Sequence, residues 1–232
     1  MGPRRPVTDI EALARLEQAA DKWGAPLDAA ALEKISAYLN FVREKNQKVN
    51  LTADDSWGDL VLKHAADGVF AASILRQLLP AAARVLDLGS GAGFIGIVLK
   101  LAWPEAEVTL MESVERKYRF LNAAATRTGL SGLRVLNRRA GDGRALTAYE
   151  GGRDAVIERA LAPLPEAISL AWPLLAPAGL FAAFQTHEPD LTSPELAKAL
   201  AAAGARVLKS CPYRRPGEEQ DRRLVIFSRR EA

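Results

Sequence analysis

The sequence predicts an α/β fold: a Rossmann-like, mostly parallel sheet of seven strands with an antiparallel terminal strand, preceded by an N-terminal helical cap. Three observations predict it. After Arg84, short apolar runs alternate with stretches of helical periodicity, the pattern of parallel βαβ units covered on both faces. The first run passes through a glycine turn directly into a helix, in "RVLDLGSGAGFIGIVL" (84–99). The last two runs are separated only by the turn-rich "PYRRPGEEQD" (212–221), which makes them a hairpin and puts an antiparallel strand at the edge.

Residues 1–80 form the predicted cap, packed on the core, and 81–232 the Rossmann-like domain, with the boundary near Pro80. In "DAAALEKISAYLNFVREKNQKVNL" (28–51), Leu32, Ile35, Leu39 and Val42 recur at helical spacing and form one apolar stripe on a charged cylinder. The polar "NQKVNLTADD" (46–55) predicts a loop. A second helix is expected over "SWGDLVLKHAADGVFAASILRQLL" (56–79), with Ser56 as N-cap and Pro80 as its stop. The predicted strands are 84–88, 107–112, 133–137, 154–158, 179–185, 205–211 and 222–228. Phe94, Ile97, Val98 and Leu101 share a face of the helix after the first strand, which Pro104 closes. Val114, Tyr118, Leu121 and Ala125 share a face of the next. Seven strands ending in a hairpin match the class I methyltransferase sheet better than the six-stranded dehydrogenase sheet.

Composition narrows the function. Hydrophobic residues make up 49% of 232, enough for a full core. No apolar run approaches the roughly 20 residues of a membrane span, and the charged start lacks an apolar segment behind it, so a cytoplasmic protein is expected. The single cysteine, Cys211, excludes an internal disulfide and a cysteine-based metal site, and is expected as a small residue near a strand end. No metal is expected. The net charge of +3 is too balanced to indicate nucleic-acid binding by itself, although cations cluster at 115–119, 134–144, 213–215 and 221–230.

The ligand is chosen by two acids. Gly89, Gly91 and Gly93 bring backbone N–H groups close to a ligand between a strand and a helix. Asp87 stands at the mouth of that turn, where it would oppose a pyrophosphate and favour the sulfonium and ammonium of S-adenosylmethionine. Glu112, at the end of the second strand, is placed to accept hydrogen bonds from ribose hydroxyls, which supports a nucleoside without naming it. After the fourth strand, "VIERALAPLPEA" (156–167) puts Glu158 and Arg159 where an amine-gripping turn would stand in base-amino methyltransferases. A donor such as Arg159 suits an acceptor-rich edge, for example guanine O6 and N7. An NAD-dependent oxidoreductase, a cofactor-binding RNA-binding protein without activity, and a methyltransferase for another RNA or a small acceptor remain the competing readings.

Several stretches together resemble one family, the glucose-inhibited division protein B family (GidB/RsmG). They are "NLTA" (50–53), "KHAAD" (63–67), "VLDLGSGAGFIGIVL" (85–99), "LMESVERKYRFL" (110–121), "DAVIERALAPL" (154–164) and "DRRLVIF" (221–227). The resemblance implies S-adenosylmethionine-dependent N7-methylation of a guanine in 16S ribosomal RNA of the small ribosomal subunit; a monomer is expected. It implies cofactor binding by Asp87, Gly89, Gly91, Gly93 and Glu112, with Arg139 and Ala140 by the adenine. Asn50, His64, Arg159 and Arg222, and Arg139 with them, match polar positions around the acceptor, where catalysis is expected. Gln185 and Thr186 stand where the family carries Lys-Gly.

Overall fold

The alternation after Arg84 resolves, in a computed structural model that describes residues 8–142 and 151–230, into strands whose order is set by the parallel crossovers. The first seven residues of the predicted cap, Arg144 of the 134–144 cation cluster and the last two residues of the predicted domain lie outside the described residues. The strands are β1 (Arg84–Leu88), β2 (Glu107–Glu112), β3 (Leu133–Asn137), β4 (Arg153–Glu158), β5 (Leu175–Gln185), β6 (Ala205–Arg214) and β7 (Asp221–Arg229). They form one 7-stranded sheet in the order β3-β2-β1-β4-β5-β7-β6. β1 to β5 pair in parallel, and β7 lies antiparallel between β5 and β6. The order reverses between β1 and β4. Crossovers leave these two strands in opposite directions, so a crevice opens at their carboxyl ends.

The helices are α1 (Asp9–Lys22), α2 (Ala29–Val49), a composite α3 (Trp57–Asp59, a π-helical turn Leu60–Ala65, then Ala66–Leu78), α4 (Phe94–Ala102), α5 (Glu115–Thr128), α6 (Leu164–Ala171) and α7 (Pro194–Ala203). The first three have side-chain caps, of which the sequence predicts Ser56. Thr8 and Glu11 make a capping box at α1, Asp28 accepts from Ala31 N at 2.7 Å, and Ser56 accepts from Asp59 N at 3.1 Å.

Three expectations need correction. The predicted loop 46–55 begins only at Asn50, because the polar Asn46–Val49 continues α2. Asn46 then closes the helix, its Oδ1 accepting from Leu51 N at 2.7 Å and Thr52 N at 3.0 Å. The expected regular helix 56–79 is interrupted by the π turn. On α5 the buried residues are Phe120, Leu121 and Ala124; Val114 precedes the helix and is exposed. Phe120 selects that face by stacking on Phe41 of α2 at 5.2 Å between centroids.

Alternating residues of β1 serve two apolar layers. Val85 joins a cluster that runs from Leu16, Ile35 and Phe70 of the cap to Ala155 and Leu224 of the sheet, continuous across Pro80. Leu86 joins Val156, Ile168, Phe181 and Phe227 on the opposite face. α4 is buried all round, because α3 covers the side that the sheet does not. Cys211 is buried in β6 opposite Leu224. Among the described residues no helix is long and apolar enough to cross a membrane.

Candidate active site

Two turns meet at the crevice, one after β1 and one after β4. In the first, Gly89, Gly91 and Gly93 have φ of 73°, 60° and 86°, a conformation that side-chain-bearing residues resist. Gly89 N and Ser90 N both donate to Met111 O at 2.9 Å, tying the turn to the end of β2. The cap reaches it too: the buried Tyr38 of α2 donates from its hydroxyl to Ala92 O at 2.8 Å.

Glu112 is the acid that faces this turn. Its Oε2 accepts from Gly91 N at 2.9 Å and its Oε1 from Val114 N at 2.7 Å. These two bonds fix the carboxylate and leave a lone pair on each oxygen for ribose hydroxyls. Asp87, expected at the mouth of the turn, lies beneath it instead, 2% exposed, with Oδ2 accepting from Gly96 N at 3.0 Å. Strand alternation decides this. Leu86 and Leu88 point to one side of β1, so Asp87 points to the side that α4 covers, onto an N–H of its first turn. A Cβ on Gly96 would stand 2.9 Å from Asp87 Oδ2, so the glycine permits the contact. Burial pushes the Asp87 carboxyl up to about 6, against the Gly96 hydrogen bond and the nearby Arg159.

Beside the turn lies a cavity of about 240 Å³ whose walls include Leu88, Gly89, Met111, Arg139, Ala140 and Leu161. Arg139 and Ala140 share this recess with the first glycine. The buried acids Asp87, Glu112 and Glu158 surround the crevice, and no salt bridge to any of them is found among the described residues. That set of acids fits a cationic adenosyl ligand and disfavours a pyrophosphate.

The second turn opens on a cavity of about 580 Å³ that gathers His64 and Asp67 from α3, Glu158 and Arg159 from the end of β4, and Arg215 and Arg222 from the β6–β7 hairpin. Its centre is the fully buried Asp67. Arg159 Nη1 donates to Asp67 at 2.7 Å, Arg215 Nη2 at 2.6 Å and Tyr213 Oη at 2.6 Å. Burial opposes ionisation of Asp67, but the Arg215 and Arg159 guanidiniums and the Tyr213 hydroxyl outweigh it and hold its carboxyl below the usual range. Arg159 also sets the histidine. Its Nη2 lies 2.8 Å from His64 Nδ1, and His64 Nε2 lies 2.9 Å from Asp54 Oδ2. A guanidinium can only donate, so Nδ1 accepts and the proton sits on Nε2, facing Asp54. Burial first, then Arg159, lowers the His64 pKa to about 4, so the ring is neutral at neutral pH. The ring stacks on Phe94, the first residue of α4, at 4.1 Å. His64 lies in the π turn, a distortion frequent at functional sites.

The structure therefore brings His64, Arg159 and Arg222 to one cavity, where Arg222 Nε donates to Glu218 at 2.8 Å. Asn50 is not with them: it is exposed at the end of α2, with φ of 52°, and lines neither cavity. Arg159, expected as a donor for the acceptor base, is held by Asp67 and His64. Sequence reasoning missed Asp67, Tyr213 and Arg215 as members of the site. The spacing of His64 and Asp67 on one helix was an available signal. Arg215 carried none, because its partner lies far away in the chain. Gln185 lines the cavity and donates to Phe184 O at 2.9 Å.

Comparison with known proteins gives the family of the chain. The family model for GidB, described as rRNA small subunit methyltransferase G, matches residues 31–216. The chain belongs to the GidB family. Proteins named ribosomal RNA small subunit methyltransferase G are similar along most of the chain. That of Dehalococcoides mccartyi is 30% identical over 89% of this chain and 86% of its own length. That of a Geobacter species is 31% identical over 92% and 96%. Among solved structures, the Burkholderia thailandensis 1,6-didemethyltoxoflavin-N1-methyltransferase superposes with a TM-score of 0.56 at 20% identity, covering 89% of this chain and 92% of that one. A SAM dependent methyltransferase from Aquifex aeolicus gives 0.55 at 18% identity, over 78% and 97%. These likenesses show the Rossmann-like class I methyltransferase fold. The N-terminal helices α1 to α3 bring Tyr38 to the glycine turn and His64 and Asp67 to the second cavity.

Proposed function

We propose that this GidB protein catalyses S-adenosylmethionine-dependent N7-methylation of a guanine in 16S ribosomal RNA, acting as a cytoplasmic monomer on the small ribosomal subunit. The observation that carries the proposal is the pair of cavities at the carboxyl ends of β1 and β4, adjoining at Ala162, one beside the glycine turn that Glu112 holds, the other built around Asp67. S-adenosylmethionine supplies an electrophilic methyl group. Gly91 N and Val114 N orient Glu112 for the ribose, and Tyr38 holds the turn. Guanine N7 has a free in-plane lone pair, so no proton need be removed before attack. A neutral His64 locked between Arg159 and Asp54 suits such a reaction, in which alignment supplies much of the rate. Arg159, fixed by Asp67, keeps the turn after β4 in place.

The test is transfer of labelled methyl from S-adenosylmethionine to purified small subunits that lack the modification, followed by mapping of the product. Incorporation at guanine N7 is expected. Cofactor binding without incorporation, or methyl on another atom, would refute it.

A further inference from the structure

One acid that lines the acceptor cavity has no cationic partner among the described residues. Each arginine that lines it already meets an acid: Arg159 and Arg215 meet Asp67, and Arg222 meets Glu218. Asp54 is matched by Lys63 and His64. Glu158 differs. It is 1% exposed and lines the cavity. Its Oε2 accepts from Leu161 N at 3.1 Å, which fixes the carboxylate, while Oε1 meets no donor among the described residues. The turn that presents it holds Ala160 at φ of 57°, a costly conformation for alanine. That oxygen is not sealed in the interior but reaches the cavity, where it can accept from a ligand.

We infer that Glu158 is the specificity residue for the acceptor base: its carboxylate accepts hydrogen bonds from the N1–H and 2-amino edge of a guanine. Its assignment depends on the methyl-transfer reading above and names the contact that selects the base. Only guanine among the four RNA bases presents two adjacent donors on its Watson–Crick edge. Adenine presents an acceptor at N1 and cytosine one at N3, and either would face the carboxylate with like polarity. A base splayed into a pocket exposes that edge. Gripped there, guanine turns its N7 edge away from Glu158. Burial, with Asp87 adding to it, pushes the Glu158 carboxyl up to about 7, and paired donors would favour the charged form.

The test uses full-length protein saturated with S-adenosylhomocysteine and short single-stranded RNAs differing at one base, guanine, inosine or adenine, with binding read by fluorescence anisotropy. Inosine keeps N1–H and lacks the 2-amino group. Wild-type protein is expected to bind in the order guanine, inosine, adenine, with about tenfold between first and last, equivalent to roughly 1.4 kcal/mol. Glu158→Gln keeps the bond to Leu161 N through its amide oxygen and presents an NH₂ to the base, so the order should flatten or invert. Tm should stay near wild type, with S-adenosylhomocysteine held at saturation for each protein. A flat order in wild type, an unchanged order in Glu158→Gln, or equal weakening of cofactor and all three RNAs would overturn the inference. Methyl transfer by wild type to small subunits, measured separately, distinguishes this from failure of the proposed function: a guanine preference without transfer refutes the reaction and leaves the base contact standing.

Discussion

Nη1 of Arg159 lies 2.7 Å from Oδ2 of Asp67, and this ion pair joins the turn after β4 to a helix of the cap. Arg215 grips the same carboxylate from the β6–β7 hairpin at 2.6 Å. One buried acid thereby closes the cavity from three directions, and its loss would leave guanidinium charge uncompensated in the interior.

Asp67→Asn should therefore destabilise the protein by about 3–5 kcal/mol, the range for breaking a buried pair from one side. Urea denaturation followed by circular dichroism measures it. A change below about 1 kcal/mol would show that the network is not structural.

Arg159→Lys keeps the charge and loses the planar fork that reaches Asp67 and His64 together. Methyl transfer to small subunits should fall on the order of 100-fold, as misplacement near 1 Å can cause, while calorimetric affinity for S-adenosylmethionine stays within about threefold. Equal losses in both would place Arg159 in the cofactor site.

Glu112→Gln replaces a carboxylate that holds Gly91 N and Val114 N. Hydrogen bonds to charged groups contribute about 1.5–3 kcal/mol, so S-adenosylmethionine should bind roughly ten- to a hundredfold more weakly by calorimetry.

The pH dependence has a defined sign. The folded-state pKa of Asp87 is raised from 3.8 to about 6, so its protonated form favours folding below pH 3.8 and that contribution is lost as pH rises from 3.8 through about 6. Thermal melts of the ligand-free protein should show wild type losing stability relative to Asp87→Asn across that interval. The ionised acid favours a sulfonium over a thioether, so the affinity ratio of S-adenosylmethionine to S-adenosylhomocysteine should rise between about pH 5 and pH 8. A constant ratio would remove Asp87 and Glu158 from the cofactor's electrostatics. His64, depressed to about 4, shifts the opposite way: the stability of its neutral folded form is lost as pH falls from about 6.5 through 4.

Gly96→Ala places a methyl against Leu110 and 2.9 Å from Asp87 Oδ2. Overpacking of this kind costs about 1–3 kcal/mol, read as a lowered urea midpoint, with weaker S-adenosylmethionine binding because α4 carries the end of the glycine turn.

Local periodicity made most of the fold legible. β1, the glycine turn and α4 were readable because strand, turn and helix signals follow one another within a few residues, and the terminal hairpin because "PYRRPGEEQD" has no room for a crossover helix. α2 was cut short on paper because Asn46–Val49 is polar, although a solvent-facing last turn tolerates polar residues. The buried face of α5 was misassigned because Phe41, which selects it, belongs to another helix.

The sequence by itself determined the class of fold, the glycine turn and the identity of the acids near it, since these depend on residue type and short spacing. Tertiary structure decided what those residues do. It put Asp87 under the turn, engaged Arg159 with Asp67 and His64, brought Arg215 to the same acid, and left Asn50 outside. The physical reason is that ionisation and hydrogen-bond commitment depend on burial and on partners supplied by distant segments, which only the packed cap, sheet and hairpin bring within 3 Å of one another.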